Sequence, residues 1–395
     1  MFRLFERPIA GYFLTRPNRF LVRCRSGGRT IHAFLPNPGR LRELLLPGCR
    51  LHLVRENGLQ QRKTRYTVVG VERNGQLIML HTHLTNSVAH YLLTHRMVPG
   101  LEGATVSASE VKVGRNRFDF LLEQGKKRIL LEVKSCTLFG RHVAMFPDAV
   151  TERGARHLRE LAARAGGDTH GAVLFVVHWP HAHTFMPDYH TDLRFAETLL
   201  AVRHQIRIIA LSVRWGPDLN LVGEPKLLNI PWDYIERESK DRGSYLLVLF
   251  LKRNRRVSVG KLGELLFPRG FYVYVGSAMG GLKRRIERHR RLRKHLYWHI
   301  DALRAAAEFR YALPVRSSVR LECDIARAMK SLGDWRIPGF GSTDCICGTH
   351  LFGFASDPVD HPDFHGLLQY FRMDRYGRPP GTVEDGLTRK WHSNE

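Results

Sequence analysis

The run Ile129-Leu130-Leu131-Glu132-Val133-Lys134 places a carboxylate and an ammonium two residues apart inside an otherwise apolar strand. Residues two apart on a strand share a face, and charge buried there needs a partner or a metal. A second run, Phe118-Asp119-Phe120, turns Asp119 to the face opposite its two aromatic neighbours. If the two runs pair as a hairpin, Asp119 joins Glu132 and Lys134, and two carboxylates converge on one divalent cation. Oxygen donors of that kind suit Mg or Mn. A lysine beside a metal carboxylate can orient or deprotonate a water and stabilise charge developing on a scissile phosphate. The pattern predicts phosphodiester hydrolysis at Asp119, Glu132 and Lys134, with Asp119 and Glu132 as metal ligands. The blander reading is an exposed Glu–Lys pair on a strand face.

Around this run the chain of 395 residues changes character several times, as expected of two or three domains. Residues 19–24, 30–35, 50–54, 67–72 and 76–80 read as short strands separated by Pro36-Asn37-Pro38-Gly39, Pro47-Gly48 and Asn74-Gly75 turns, which predicts a small β-barrel over 1–85. From Asn86 the spacing of Val88, Leu92 and Leu93 is helical. Strands at 118–122 and 129–133 follow, then an amphipathic helix at 151–165, a strand at 172–177, a helix at 193–204 and a strand at 206–211. This predicts an α/β domain over 86–215. Pro217, Pro225 and Pro231 mark 216–242 as a linker into a second α/β domain over 243–355, and sparse aliphatics mark 356–395 as a weakly ordered tail.

Charge narrows the class of partner. Lys plus Arg number 62 against 37 Asp plus Glu, a formal net charge of +25. Such an excess fits nucleic acid, since cations that neutralise phosphates release condensed counterions; an anionic membrane surface is the weaker rival, with no amphipathic anchor to support it. No run approaches the roughly 18 apolar residues of a membrane-spanning helix, and residues 1–13 lack the uncharged segment of a secretory signal. Six scattered cysteines fit a reducing cytoplasm.

Several motifs are then familiar. Pro36-Asn37-Pro38-Gly39-Arg40, Ser109-Glu110-Val111-Lys112-Val113-Gly114, Arg117-Phe118-Asp119-Phe120, Leu131-Glu132-Val133-Lys134-Ser135-Cys136-Thr137-Leu138 and Phe146-Pro147-Asp148-Ala149-Val150-Thr151-Glu152-Arg153-Gly154 resemble the sugar fermentation stimulation protein A family over about residues 1–230. The resemblance implies an OB-fold-like barrel, a restriction-endonuclease-like domain with a PD-(D/E)XK metal site, and DNA binding. On it, Asp119, Glu132 and Lys134 match the nuclease positions, with Glu110 a fourth acidic candidate. Glu152, Arg153 and His157 open the amphipathic helix, where Glu152 either joins the site or simply suits the helix's positive end. Asn37 and Arg40 either form a turn or contact nucleic acid.

The second α/β domain carries its own constellation. Gly243-Ser244-Tyr245 opens one strand and Tyr274-Val275-Gly276 closes another, and eight of the twelve residues from Lys283 to Lys294 are Lys or Arg. Leu282, Ile286 and Leu292 form a narrow apolar stripe, leaving Lys283, Arg284, Arg288 and Arg291 to face phosphates. These segments, with Val259-Gly260-Lys261-Leu262-Gly263, Arg288-His289, Trp298-His299-Ile300-Asp301 and Gly339-Phe340-Gly341-Ser342-Thr343-Asp344-Cys345, resemble a GIY-YIG-like family over about 241–354. The resemblance implies a site of Tyr245, Tyr274, Arg285 and Glu322, with Glu322 holding a metal and His289 among the nucleic-acid contacts. The first motif here is Gly-Ser-Tyr, and an insert at 252–271 separates the tyrosines.

Cys345, Cys347 and His350, with Cys323, are of zinc-binding type, although Cys-x-Cys alone is also an ordinary turn with reduced thiols. His178, His181, His183 and His190 read as histidines of a polar loop. The fold expected is a multidomain α/β chain: OB-like barrel, restriction-endonuclease-like domain and GIY-YIG-like domain. The function expected is that of a cytoplasmic, metal-dependent DNA nuclease; the alternative is a non-catalytic DNA-binding or regulatory protein that keeps a nuclease fold.

Overall fold

Strands Ile9–Asn18, Leu21–Ser26, Arg29–Phe34, Arg50–Arg55 and Tyr66–Arg73 form a barrel in the order third, second, first, fourth, fifth. The parallel pairs Ala33↔Tyr66 and Phe34↔Thr67 close it, which is the path of an OB fold. The structure is a computed structural model that describes residues 2–55, 64–114 and 116–377. The Asn74-Gly75 turn forms as the sequence predicts, with φ of 49° and 68° at its two residues, the left-handed pair a tight hairpin demands. Ile9–Asn18 was not among the predicted strands, because Gly11 and Pro17 interrupt its alternation.

The chain divides into two units, Met1–Asp188 with Arg194–Trp232, and Tyr189–Leu193 with Asp233–Glu395. In the first, strand Gln76–Met79 hands over from the barrel to a mixed sheet. Strands Ile206–Trp215, Thr169–Val177 and Lys127–Cys136 lie parallel at its centre, and Asn116–Gln124 and Thr105–Val113 extend it antiparallel. Alternation along Thr169–Val177 sorts the two faces. Ala172, Leu174 and Val176 pack with Val88, Leu92 and Leu93 of helix Thr85–Thr94, while Val173, Phe175 and Val177 pack with Leu158 and Leu161 of helix Glu152–Arg164 and with barrel residues such as Val22 and Leu53.

In the second unit, strands Glu308–Arg316, Gly243–Leu251, Gly270–Ala278, Leu351–Phe354 and Trp335–Arg336 form one antiparallel sheet in that order. Helices Leu282–Arg290 and His299–Ala306 supply Leu282, Ile286, Ile300 and Leu303 to one face. Helices Glu322–Met329 and Pro362–Gln369 supply Ile325, Met329, Phe364 and Leu367 to the other. No helix among the described residues is long and apolar enough to cross a membrane.

Two expected segments differ. Residues 216–242 are not a bare linker: Leu221–Leu227 pairs with Ile206–Trp215 and Trp232–Glu238 is helical. Pro225 fits there because its strand has a neighbour on one side only. Residues 356–377 are not a weakly ordered tail, since Phe364, Leu367, Leu368, Tyr370 and Phe371 are buried in the unit's core; aromatics rather than aliphatics supply the burial. The rest of the expected tail, 378–395, lies outside the described residues. Replacing the fully buried Phe364 with Ala should destabilise the second unit by about 3–5 kcal/mol. Denaturant unfolding of that unit checks this, and a change within about 0.5 kcal/mol, as at a surface site, would contradict the packing.

Candidate functional site

In the first unit the ladder between Asn116–Gln124 and Lys127–Cys136 runs from Gln124↔Lys127 to Phe120↔Leu131 and stops. Beyond it, the amide of Val133 donates instead to Asp119 Oδ2 at 2.7 Å, and Asn86 Nδ2 of helix Thr85–Thr94 donates to Asp119 Oδ1 at 2.8 Å. Asp119 is thus fixed from two sides. Glu132 is 3% exposed. Its Oε1 accepts from Lys134 Nζ and from His157 Nδ1, the latter at 2.5 Å. His157 Nε2 accepts from Arg153 Nε at 3.3 Å, so the imidazole proton belongs on Nδ1, facing the carboxylate. Glu132 Oε2 is buried without a hydrogen-bond partner among the described residues.

These surroundings push the two carboxyls apart. Burial and the charge of Glu132 hold Asp119 above the usual carboxylate range. Burial also pushes Glu132 upward, but the His157 hydrogen bond and the Lys134 charge prevail and leave it below that range. Two carboxyls tuned in opposite directions, with one buried oxygen unclaimed, form a donor set that a hard divalent cation fits.

Of the other residues considered, Glu110 sits on the neighbouring strand Thr105–Val113 but is exposed and pairs with Arg117 at 2.7 Å. Its left-handed φ of 56° is unusual for a side-chain-bearing residue. Glu152 is exposed in the first turn of its helix, where the positive end favours it. Asn86 was not singled out in the sequence; it lies 33 residues from Asp119, and no spacing rule connects them.

The barrel loop has a structural role at Asn37 that the nucleic-acid reading did not include. Asn37 is buried, donates to Leu80 O at 3.1 Å and accepts from Gly39 N at 2.9 Å, so its amide is spent on the turn; Arg40 is exposed. Asp148, from the Pro147-Asp148 motif, accepts from Leu41 N at 2.7 Å. Two of the motifs that carried the family resemblance therefore meet. Nearby Glu43 is pushed up to about 8 by burial and by the charge of Asp148. The expected polar histidine loop is partly interior: His178 is fully buried, accepts from Trp215 Nε1 at 3.0 Å, and is pushed down to about 3 by burial.

In the second unit, Tyr245 faces Gly276 and Leu247 faces Tyr274 across antiparallel strands. The two motif tyrosines become neighbours, with ring centroids 6.4 Å apart. The insert between them folds as its own hairpin, Arg255–Ser258 against Glu264–Phe267, and leaves that register intact. Gly276 is required here, because a Cβ would lie 2.5 Å from Tyr245 Oη. Burial raises the hydroxyls of both tyrosines, so both side chains are neutral phenols rather than phenolates.

Arg285 Nη1 donates to Ser277 O at 3.4 Å and its guanidinium lies 4.3 Å from the Trp298 ring centre. Ser277 Oγ donates to Glu322 Oε2, and Glu322 Oε1 faces His350 Nδ1 at 3.1 Å. Burial raises the Glu322 carboxyl, but its His350 and Ser277 hydrogen bonds outweigh this and hold it low. Tyr245, Tyr274, Arg285 and Glu322 thus gather around one end of strand Gly270–Ala278.

The basic stretch is partly committed elsewhere. His289, expected among the nucleic-acid contacts, is buried with its Nε2 2.9 Å from Tyr245 Oη. Arg288, expected to face phosphates, donates to both oxygens of the buried Asp301 at 3.0 and 3.1 Å. Lys294 pairs with the same carboxylate at 2.6 Å; burial pushes that carboxyl upward, but the hydrogen bonds from His289, Lys294 and the amides of Tyr297 and Trp298 prevail and hold it far below its usual range. Helix Leu282–Arg290 ends before Arg291, so Leu292 leaves the apolar stripe and is 60% exposed. Lys283, Arg284 and Arg291 remain exposed.

A barrel of OB topology sharing its core with a mixed sheet that carries paired carboxylates and a lysine defines an OB-barrel protein with a restriction-endonuclease-like α/β domain. Comparison with known proteins specifies it further. Residues 14–80 match the SfsA N-terminal OB domain, and residues 83–218 the Sugar fermentation stimulation protein RE domain. Sugar fermentation stimulation protein homologs from Methanothermobacter thermautotrophicus and Pyrobaculum arsenaticum are 34% and 38% identical over 217 and 228 residues, 55% and 56% of this chain and 90% and 95% of theirs. The chain belongs to the sugar fermentation stimulation protein family. The structure of Pyrococcus furiosus SfsA in complex with Ca2+ superposes with a TM-score of 0.53 at 29% identity, covering 58% of this chain and 99% of that one. Residues 244–369 match the GIY-YIG-like Domain of unknown function DUF123, a span that includes the buried helix Pro362–Gln369.

Two outcomes follow from these environments. Glu43 stays protonated in the fold up to about 8 but ionises at its ordinary 4.5 when unfolded, so its stabilisation is complete below the lower value and is lost as pH rises through the upper one. Glu43→Gln should flatten that fall in a pH series of denaturant titrations. Glu132, held low, contributes in the opposite sense, present at neutral pH and lost in acid. His157→Ala should cost about 1–3 kcal/mol and move the Glu132 titration upward, which NMR of labelled glutamate carboxyls would read.

Proposed function

We propose that the first unit is a Mg- or Mn-dependent phosphodiester hydrolase acting on DNA, with Asp119 and Glu132 holding the cation and Lys134 facing the phosphate. The observation that carries this reading is Glu132: one oxygen is clamped by Lys134 and His157, while the other is buried without a partner among the described residues. An uncompensated buried carboxylate oxygen is costly, and a cation shared with Asp119 would remove that cost. When bound, Mg or Mn polarises a phosphoryl oxygen and acidifies a water. Asn86 and the Val133 amide orient Asp119. His157 fixes Glu132 through its Nδ1 proton, and the Lys134 ammonium, positioned by the same carboxylate, stabilises charge that grows on the phosphate. The relative described in complex with Ca2+, a cation that takes oxygen ligands, supports a hard-cation site in this family.

The net charge of +25 and the OB barrel support DNA as the partner. In the second unit, exposed Lys283, Arg284 and Arg291 contact nucleic acid, and Tyr245, Tyr274, Arg285 and Glu322 form either a phosphate-binding site or a second cleavage site.

Labelled single-stranded, duplex and branched DNA and RNA, incubated with the chain in Mg, Mn or EDTA, test this reading. Cleavage should require the metal and fall by about 10²–10³-fold in Glu132→Ala, the scale for removing one preorganised stabilising group, while binding keeps its salt dependence. Loss in Glu322→Ala alone would move the chemistry to the second unit. Binding without cleavage under every condition would favour the non-catalytic DNA-binding protein.

A further inference from the structure

Three sulfurs and an imidazole converge where helix Glu322–Met329 begins. Cys323 lies in its first turn, Cys345 and Cys347 lie in the loop leading to strand Leu351–Phe354, and His350 immediately precedes that strand. Their donor atoms all lie within 4.8 Å of one another, with Cys345 Sγ 3.4 Å from His350 Nε2. Tetrahedral zinc, with Zn–S near 2.3 Å and Zn–N near 2.0 Å, sets neighbouring donors about 3.5–3.8 Å apart. The observed spread is that of a set poised around one ion. The three cysteines are free thiols, none of them in a disulfide.

We infer that Cys323, Cys345, Cys347 and His350 form a structural zinc site in the second unit. His350 supplies a second observation. Its Nδ1 faces Glu322 Oε1 at 3.1 Å; a proton there leaves the Nε2 lone pair directed at the sulfurs. A ligating histidine whose other nitrogen is held by a carboxylate is the usual outer arrangement of a zinc centre. The loop supplies a third. Between Arg336 and Leu351 no strand or α-helix forms, Gly339, Gly341 and Gly348 adopt left-handed φ, and Ile346, between the two cysteines, is fully exposed. Ile337 and Phe340 are buried in the core, but no residue from Gly341 to Gly348 is, and a metal closed by four protein ligands supplies that stretch with an organiser. Four protein donors leave no open position, so the ion holds structure rather than substrate. It also braces Glu322: the ion fixes His350, His350 fixes Oε1, and Ser277 fixes Oε2.

Elemental analysis of the purified full chain, after gel filtration in zinc-free buffer, decides the matter. About one zinc per chain is expected, the stoichiometry of a single closed site. It should persist in Asp119→Ala/Glu132→Ala, which separates it from the first unit's cation, and in Cys24→Ser. It should leave when thiols are blocked and be lost in Cys345→Ser/Cys347→Ser. Should that variant fail to fold, Co2+ added to the metal-stripped wild-type chain gives an independent reading: tetrahedral thiolate ligation produces an intense sulfur-to-cobalt charge-transfer band, and His350→Cys should keep the metal while shifting that spectrum. Absence of both zinc and the cobalt–thiolate band in reduced protein would overturn the site, as would a disulfide among Cys323, Cys345 and Cys347 in freshly purified chain mapped without reductant.

Discussion

A carboxylate inside a β-sheet must be answered, and in the first unit the answer to Glu132 organises what surrounds it. The strand that carries it is apolar on both faces and central in the sheet, so water cannot solvate the charge. Lys134 comes from the same strand and His157 from the helix packed beneath it. The helix is therefore held in register by a polar contact within an apolar layer. Burying a pair of this kind is weak evidence for stability, because desolvation consumes much of the attraction. One oxygen of Glu132 stays without a partner among the described residues, and the cation proposed above would answer it.

The second unit solves a similar problem with the opposite sign of excess. Its basic stretch is anchored on Asp301, which gathers Arg288, Lys294 and two backbone amides, while Trp298 lies against the guanidiniums of Arg285 and Arg288. Part of the positive charge is thus used to fix the helix and the arginine nearest the tyrosine pair. The rest stays exposed. A single acidic residue converts a repulsive run into an ordered wall beside Tyr245 and Tyr274.

What the sequence made legible followed the reach of each rule. Period-two patterns and turn residues located most barrel strands, and a two-residue spacing put Glu132 and Lys134 on one face. The two glycine–tyrosine motifs marked a strand at each tyrosine, but the antiparallel pairing that makes the rings neighbours across the insert came only with the fold. Contacts between distant segments were not legible: Asn86 reaches Asp119 and His157 reaches Glu132 across 33 and 25 residues, and no periodicity encodes them. Composition misled where proline or aromatic content stood in for order. Pro225 sits in an edge strand and Phe364 in a core, although both segments read as irregular.

One hydrophobic cluster runs without a break from Val22 and Leu53 of the barrel to Phe175 and Leu158 of the mixed sheet, and Leu77↔Trp215 carries the ladder across. The first unit consequently has no joint between its barrel and its carboxylate site. On the proposed function, a nucleic-acid strand lying across the barrel would reach the carboxylate site at a fixed offset along its length, as against a ruler rather than a hinge.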